Sequence, residues 1–177
     1  MGVKLTIPDT FQPSGQRFVV DLMLMRLGRW LRLMGQDVAN PGNGSDWEIR
    51  DQAAREHRTV ITRDRRLWQS CLKIERPCIL IFSSQIEEQL LEMAGAGLPL
   101  LLDPRRCTLC NEPLEQMTED GREQWRCRRC DKLYWRGSHW RKMEEMLEKI
   151  GGRRGQDQTC RPKNEKHNKG QSDGCIV

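Results

Sequence analysis

Four cysteines at metal-ligand spacing and three aspartates at element junctions are the residues of this chain whose types could do chemistry. Cys107 and Cys110 form one Cys-x-x-Cys pair, Cys127 and Cys130 form a second, and sixteen residues separate the pairs. That gap falls within the roughly 15 to 20 residues expected of a structural zinc site. Each pair turns tightly around one side of a tetrahedral ion, and four thiolates leave no coordination position open for a substrate. Such an ion holds structure and performs no reaction. Disulfides are the competing use of paired cysteines, but they belong to oxidising compartments, and residues 1–16 lack the apolar core of a signal peptide. Cys71 and Cys78, outside the cassette, read as buried packing residues.

Asp21, Asp46 and Asp64 depend on the elements that place them. Arg17 to Asp21 reads as a buried strand, and Leu22 to Met34 as a helix ending at Gly35. Leu24, Leu27, Leu31 and Met34 share one face of that helix, and Arg26, Arg29 and Arg32 share another arc. A second helix is expected from about Trp47 to His57, a strand over Thr59 to Thr62, another over Cys78 to Phe82, and a helix from Gln85 to Met93. Strands alternating with helices imply an α/β fold whose mostly parallel sheet is covered on both faces. Asp21 and Asp64 then stand just after strands and Asp46 opens a helix, and the carboxyl ends of parallel strands form the crevice where ligands bind. Three carboxylates gathered there repel one another unless a hard cation such as Mg²⁺ or Mn²⁺ lies between them. Metal-assisted phosphodiester hydrolysis fits such a site. Aspartate is also a favoured helix N-cap, each of the three precedes a helix, and Ser45 with Glu48 fits a capping box, so spacing alone favours caps.

The 177 residues carry a net charge of +5, and residues 151–177 supply three of those charges with six Lys/Arg against three Asp/Glu. That segment has few apolar side chains and is expected to be a disordered basic tail. Residues 1–16 are expected to be a flexible N-terminal segment, 17–103 the main domain, and 104–150 the zinc module with a terminal helix from about Trp140 to Ile150. No run approaches the roughly 20 apolar residues of a membrane-spanning helix, so an intracellular protein, cytoplasmic or nuclear, is expected. Nucleic acid is the expected partner. Arg63, Arg65 and Arg66 surround Asp64, Arg26, Arg29 and Arg32 follow Asp21, and guanidinium groups there would track phosphates. The zinc module adds Arg126, Arg128 and Arg129 beside Trp135, a mixture of cations and stacking rings that suits single strands. The competing use of the module's tryptophans is a small aromatic core. His57 and His139 lack the spacing of a second metal motif, and capping or packing accounts for them.

The run from Asp21 to Gly35, with Arg29-Trp30-Leu31-Arg32 at its centre, resembles the opening signature of the Mut-seven C-terminal RNase domain family. Ile61-Thr62-Arg63-Asp64, Arg106-Cys107-Thr108-Leu109-Cys110-Asn111 and Tyr134-Trp135-Arg136-Gly137-Ser138-His139-Trp140 resemble its later words in the same order, over roughly residues 17 to 147. The resemblance implies a PIN-like nuclease domain followed by a four-cysteine zinc ribbon, the arrangement also found at the C-terminal end of longer exonuclease mut-seven homologues. It implies Asp21 and Asp64 as metal-binding carboxylates, with Asp46 at the third acidic position. Leu22 stands where PIN-like domains often carry a small hydroxyl residue, and Gly28 where the family usually has Ala. The expected function is a divalent-metal-dependent ribonuclease with single-stranded RNA as partner, or the RNA-targeting part of a 3'-5' exonuclease homologue. The alternative is a catalytically degenerate module that recruits RNA or a protein partner.

Overall fold

The computed structural model describes residues 15–42 and 44–158. Most of the segment expected to be flexible, residues 1–14, and the expected tail from residue 159 onward lie outside the described residues. Strands β1 (Arg17–Val20), β2 (Asp37–Ala39), β3 (Thr59–Thr62) and β4 (Cys78–Leu80) form an all-parallel sheet in the order β2-β1-β3-β4. Phe18 pairs with Val38, Val19 with Val60, and Ile61 with Ile79. These strands are short apolar runs because helices cover both of their faces, which removes the need for a polar side. On one face, Phe18, Val20, Ile61 and Ile79 pack with α1 (Met25–Leu33), α4 (Ile86–Gly95) and α5 (Ser138–Gln158). On the other, Val19, Val60 and Cys78 pack with α2 (Asp46–Arg55) and α3 (Arg65–Lys73), where Cys71 is also buried.

Local chemistry explains the helix starts and the closest packing. Ser45 and Glu48 form the expected reciprocal capping box at α2. Helix α1, preceded by a 3-10 turn over Leu22–Leu24, crosses β1 closely at Gly28, where an added Cβ would lie 3.0 Å from a Val20 methyl. An alanine there gains about 1 kcal/mol of helix propensity but pushes that methyl aside, so packing opposes propensity. Helix α5 continues past the expected end at Ile150 to Gln158 and seals the core with Trp140, Met143, Leu147 and Ile150.

The cysteine-bearing module, compatible with a zinc ribbon, contains an antiparallel sheet of β5 (Glu115–Glu119), β6 (Arg122–Arg126) and β7 (Leu133–Trp135). Asp120 and Gly121 both adopt positive φ, +48° and +73°, as a two-residue hairpin turn requires. The module covers the open edge of the parallel sheet. Asn111 Oδ1 accepts from the Val38 N–H at 3.0 Å, and Arg32 Nε donates to the Val38 carbonyl at 2.7 Å. Edge strand β2 therefore presents both groups to partners instead of to another chain.

Arg32 departs from the expectation that it faces phosphate. It is 1% exposed, and its remaining donors reach the Thr108 carbonyl at 2.8 Å, the Leu109 carbonyl, and Asn40 Oδ1. Burial lowers its pKa from the ordinary value, with Cys107 and Cys110 opposing that shift. The residue is a bracket between the sheet and the first cysteine turn. Arg32→Met leaves buried carbonyls without donors and should lower unfolding stability in urea by about 3 kcal/mol. A loss below about 0.5 kcal/mol, the scale of ordinary surface substitutions, would show that the bracket contributes nothing.

Asp37 ties the same two parts through charge. It accepts from Arg58 at 2.6 Å and Asn111 at 2.7 Å, and Arg106 approaches to 3.2 Å. Burial raises its pKa, but the hydrogen bonds from Arg58 and Asn111 outweigh burial and hold the carboxyl below its ordinary value. A depressed folded pKa gives stability that is complete above the unfolded value near about 4 and is lost as pH falls through the folded one. Asp37→Asn should remove part of the loss in thermal stability below about pH 4, and an unchanged acid slope would exclude Asp37 as its source.

Candidate functional site

The strand order reverses between β1 and β3, since the chain runs from β1 outward to β2 and then returns to the other side of β1. Ligands of open parallel sheets bind at such a switch point, beyond the carboxyl ends of the strands. Asp21 follows β1 and Asp64 follows β3, so both stand at that place. Asp21 is 5% exposed, and its side chain caps no helix. Its Oδ2 instead accepts from the Thr62 hydroxyl and from the Arg63 N–H at 3.1 Å, across to the neighbouring strand. Thr62 Oγ1 in turn accepts from the Asp64 N–H at 2.9 Å. One buried hydroxyl therefore orients both acidic positions.

The other oxygen of Asp21, Oδ1, is buried without a hydrogen-bond partner. Leaving a buried carboxylate oxygen unpaired costs free energy, and such a group calls for an explanation. A divalent cation is the partner that a bare carboxylate oxygen fits, so this atom passes the chemical test for a hard-metal ligand. Asp64 is a true N-cap: its Oδ1 accepts from the Arg66 N–H at 2.6 Å and the Leu67 N–H at 3.4 Å. Asp46 is the first residue of α2, is exposed, and yields the cap to Ser45. Capping thus accounts for one of the three aspartates. The three are not brought together as a ligand group, because the cysteine quartet is the one set of three or more His, Cys, Asp or Glu among the described residues that could hold a metal ion.

The basic residues divide by their partners. Arg26, Arg29, Arg65 and Arg66 are exposed and form no ion pair with a described residue. Arg63 is half-buried with its Nε unpaired. Three of the ribbon's arginines are exposed but paired, Arg126 with Asp131, Arg128 with Glu115, and Arg129 with Glu112, whereas Arg122 is exposed with no ion pair to a described residue. A phosphate would have to displace those carboxylates, although exposed pairs of this kind contribute only about 0 to 1 kcal/mol. Trp125 and Trp140 stack with ring centroids 6.0 Å apart and are buried, with Arg136 lying against both rings. They form the aromatic core that was the competing expectation. Trp135 remains exposed, beside a cleft of about 390 Å³ that Leu133 and His139 also line.

The four cysteines bring their sulfurs within 4.8 Å of one another, a spacing that could hold a metal such as zinc. Their two turns repeat one pattern. Cys107 N–H donates to the Glu112 carbonyl at 2.8 Å and Cys127 N–H to the Lys132 carbonyl at 2.9 Å, while Asn111 and Asp131, each following a pair, adopt positive φ. Burial raises the Cys107 pKa, but hydrogen bonds from the Tyr134 hydroxyl and from the N–H groups of Cys110 and Leu109 outweigh it and bring the thiol down to about 6. Burial and the same Cys107 contact push Tyr134 up to about 12.

Thr62 is the site residue that sequence reasoning missed. Its signal was a hydroxyl residue ending a strand two positions before an aspartate, on the strand face shared with Val60. It also supplies the hydroxyl contact that position 22, a leucine here, does not. No helix among the described residues is long and apolar enough to cross a membrane. No curated protein and no solved structure matches the chain. The Mut7-C RNAse domain family, however, matches residues 16–147, a span that takes in the switch point, the cysteine quartet and the aromatic seam, and the chain belongs to that family.

Proposed function

We propose that the protein is a divalent-metal-dependent ribonuclease whose site is the crevice at the carboxyl ends of β1 and β3. The observation that carries this is the buried, unpartnered Oδ1 of Asp21, set beside Asp64 at the switch point. Asp21, through its unpartnered Oδ1, and Asp64 beside it would hold Mg²⁺ or Mn²⁺, whereas Asp46, exposed at the start of α2, stands apart from them. A bound ion of that kind polarises a phosphoryl oxygen and lowers the pKa of an attacking water. Thr62 fixes the Asp21 carboxylate by donating to Oδ2, so that Oδ1 keeps one direction. Arg65 and Arg66, exposed in the first turn of α3, bind phosphate beside it. The cysteine quartet would hold zinc and keep the ribbon against β2.

One observation favours a second function, an RNA-binding module without cleavage: the three aspartates are not among the groups of described residues that could hold a metal ion, and Asp46 is exposed. Incubating end-labelled single-stranded RNA with the protein, with and without Mn²⁺ or Mg²⁺, separates the two. Metal-dependent products that appear only with intact Asp21 and Asp64 identify a nuclease, and their ladder or mononucleotide pattern gives endo- or exonucleolytic polarity. Binding without products identifies the module.

A further inference from the structure

The rim of the crevice carries large apolar side chains that the core does not use. Trp47 is 66% exposed, Met23 63%, Leu22 55% and Phe82 47%. They come from segments that end at the same edge of the sheet. Leu22 and Met23 follow β1, Trp47 lies in the first turn of α2 after β2, and Phe82 follows β4. Gly44, shortly before α2, lies directly on the turn after β1, since a Cβ there would fall 2.2 Å from Leu22 Cδ1. With strands about 4.8 Å apart, this edge from β2 to β4 spans about 14 Å. Apolar groups clustered around a polar site mark an interaction surface, and a half-exposed indole offers a flat face of low conformational entropy.

Charge indicates what lies on this rim. Arg26, Arg65 and Arg66 are exposed on the segments that follow β1 and β3, without ion pairs to described residues, whereas Arg126, Arg128 and Arg129 of the ribbon are held by acids. Free cations beside open ring faces are the combination that binds single-stranded nucleic acid, because unpaired bases stack while phosphates meet guanidinium groups. A duplex keeps its bases stacked inside and offers the rings nothing.

We infer that Trp47 is a stacking platform for an unpaired base of a single-stranded substrate, with Leu22, Met23 and Phe82 completing an apolar rim around the acidic crevice. The inference rests on the nuclease proposed above for its substrate class, but its test reads binding and not cleavage. Single-stranded RNA containing one 2-aminopurine is titrated with the protein in Ca²⁺, alongside the matching duplex. Stacking on Trp47 quenches the probe. Trp47→Ala should weaken single-strand binding about tenfold and abolish the quench, Trp47→Phe should keep most of both, and duplex affinity should not change. Equal single-strand affinity and quench in Trp47→Ala would overturn the assignment, as would a wild-type chain that binds no single strand. Quenching that depends on Trp47 in a protein that never cleaves RNA would uphold the platform and sink the nuclease.

Discussion

Asp21→Asn should lower metal-dependent RNA cleavage by about 10²- to 10³-fold, the scale on which losing one preorganised charge-stabilising group is felt. The substitution keeps shape, removes the charge and puts an amide NH2 in place of one acceptor oxygen. Asparagine can still turn an amide oxygen toward the Thr62 hydroxyl and the Arg63 N–H, which now serve Oδ2. What it loses is the anionic Oδ1, the buried atom with no partner among the described residues. Stability should move the other way. A buried unpaired carboxylate oxygen is a cost of folding, and removing its charge should leave the melting temperature unchanged or raised. Lost cleavage with undiminished stability is a signature that a structural role for Asp21 does not produce. Equal cleavage by the variant at saturating Mn²⁺ would take this residue out of the chemistry. A cleavage loss accompanied by a melting temperature lowered by several degrees would assign it to folding.

Much of the fold was legible because its signals are local. The strand ending in Thr62 lies where its β-branched run places it, the α2 cap is the Ser45 and Glu48 pair, and the cysteine spacing marks the quartet. Strand β2 escaped because three residues between Gly35 and Asn40 are too few to show a period, and its pairing comes from β1 and the ribbon. The β5–β6 hairpin carried an Asp-Gly turn signal at Asp120 and Gly121, but its flanking residues are polar and hid the strands.

The site divides in the same way. The places of Asp21 and Asp64 followed from the order of elements, whereas the bridge through Thr62 needed two adjacent strands in register. Arg32 misled because guanidinium groups are seldom fully buried without partners. Here it lies one helical turn after Gly28, on the face packed toward the sheet, and its partners are carbonyls of segments as distant as Thr108. Trp47 is the opposite case, since nothing about a tryptophan beside a capping box says that its ring stays out of the core.

Cys127→Ser should abolish stoichiometric zinc binding and unfold the ribbon while the parallel sheet persists. Serine's hydroxyl is a poor replacement for a thiolate, and three remaining sulfurs leave the tetrahedral shell open. The ribbon has little else to hold it. Its strand β5 is exposed along its whole length, and its buried apolar groups amount to Trp125 against Trp140 beside the cysteines. Structural zinc binding is worth about 10 to 16 kcal/mol in small finger peptides, far more than so small a core supplies. The sheet has its own two cores, and β2 keeps its pairing with β1 even when Asn111 leaves Val38. The expected outcome is therefore graded: zinc falls from one equivalent to none by metal analysis, tryptophan emission shifts red as the Trp125–Trp140 stack opens, and far-UV circular dichroism keeps most of its helical signal. Full zinc stoichiometry in the variant would exclude the quartet as the site. Complete loss of helical signal would mean that the bonds from Arg32 to the ribbon and between Asn111 and β2 support the sheet itself.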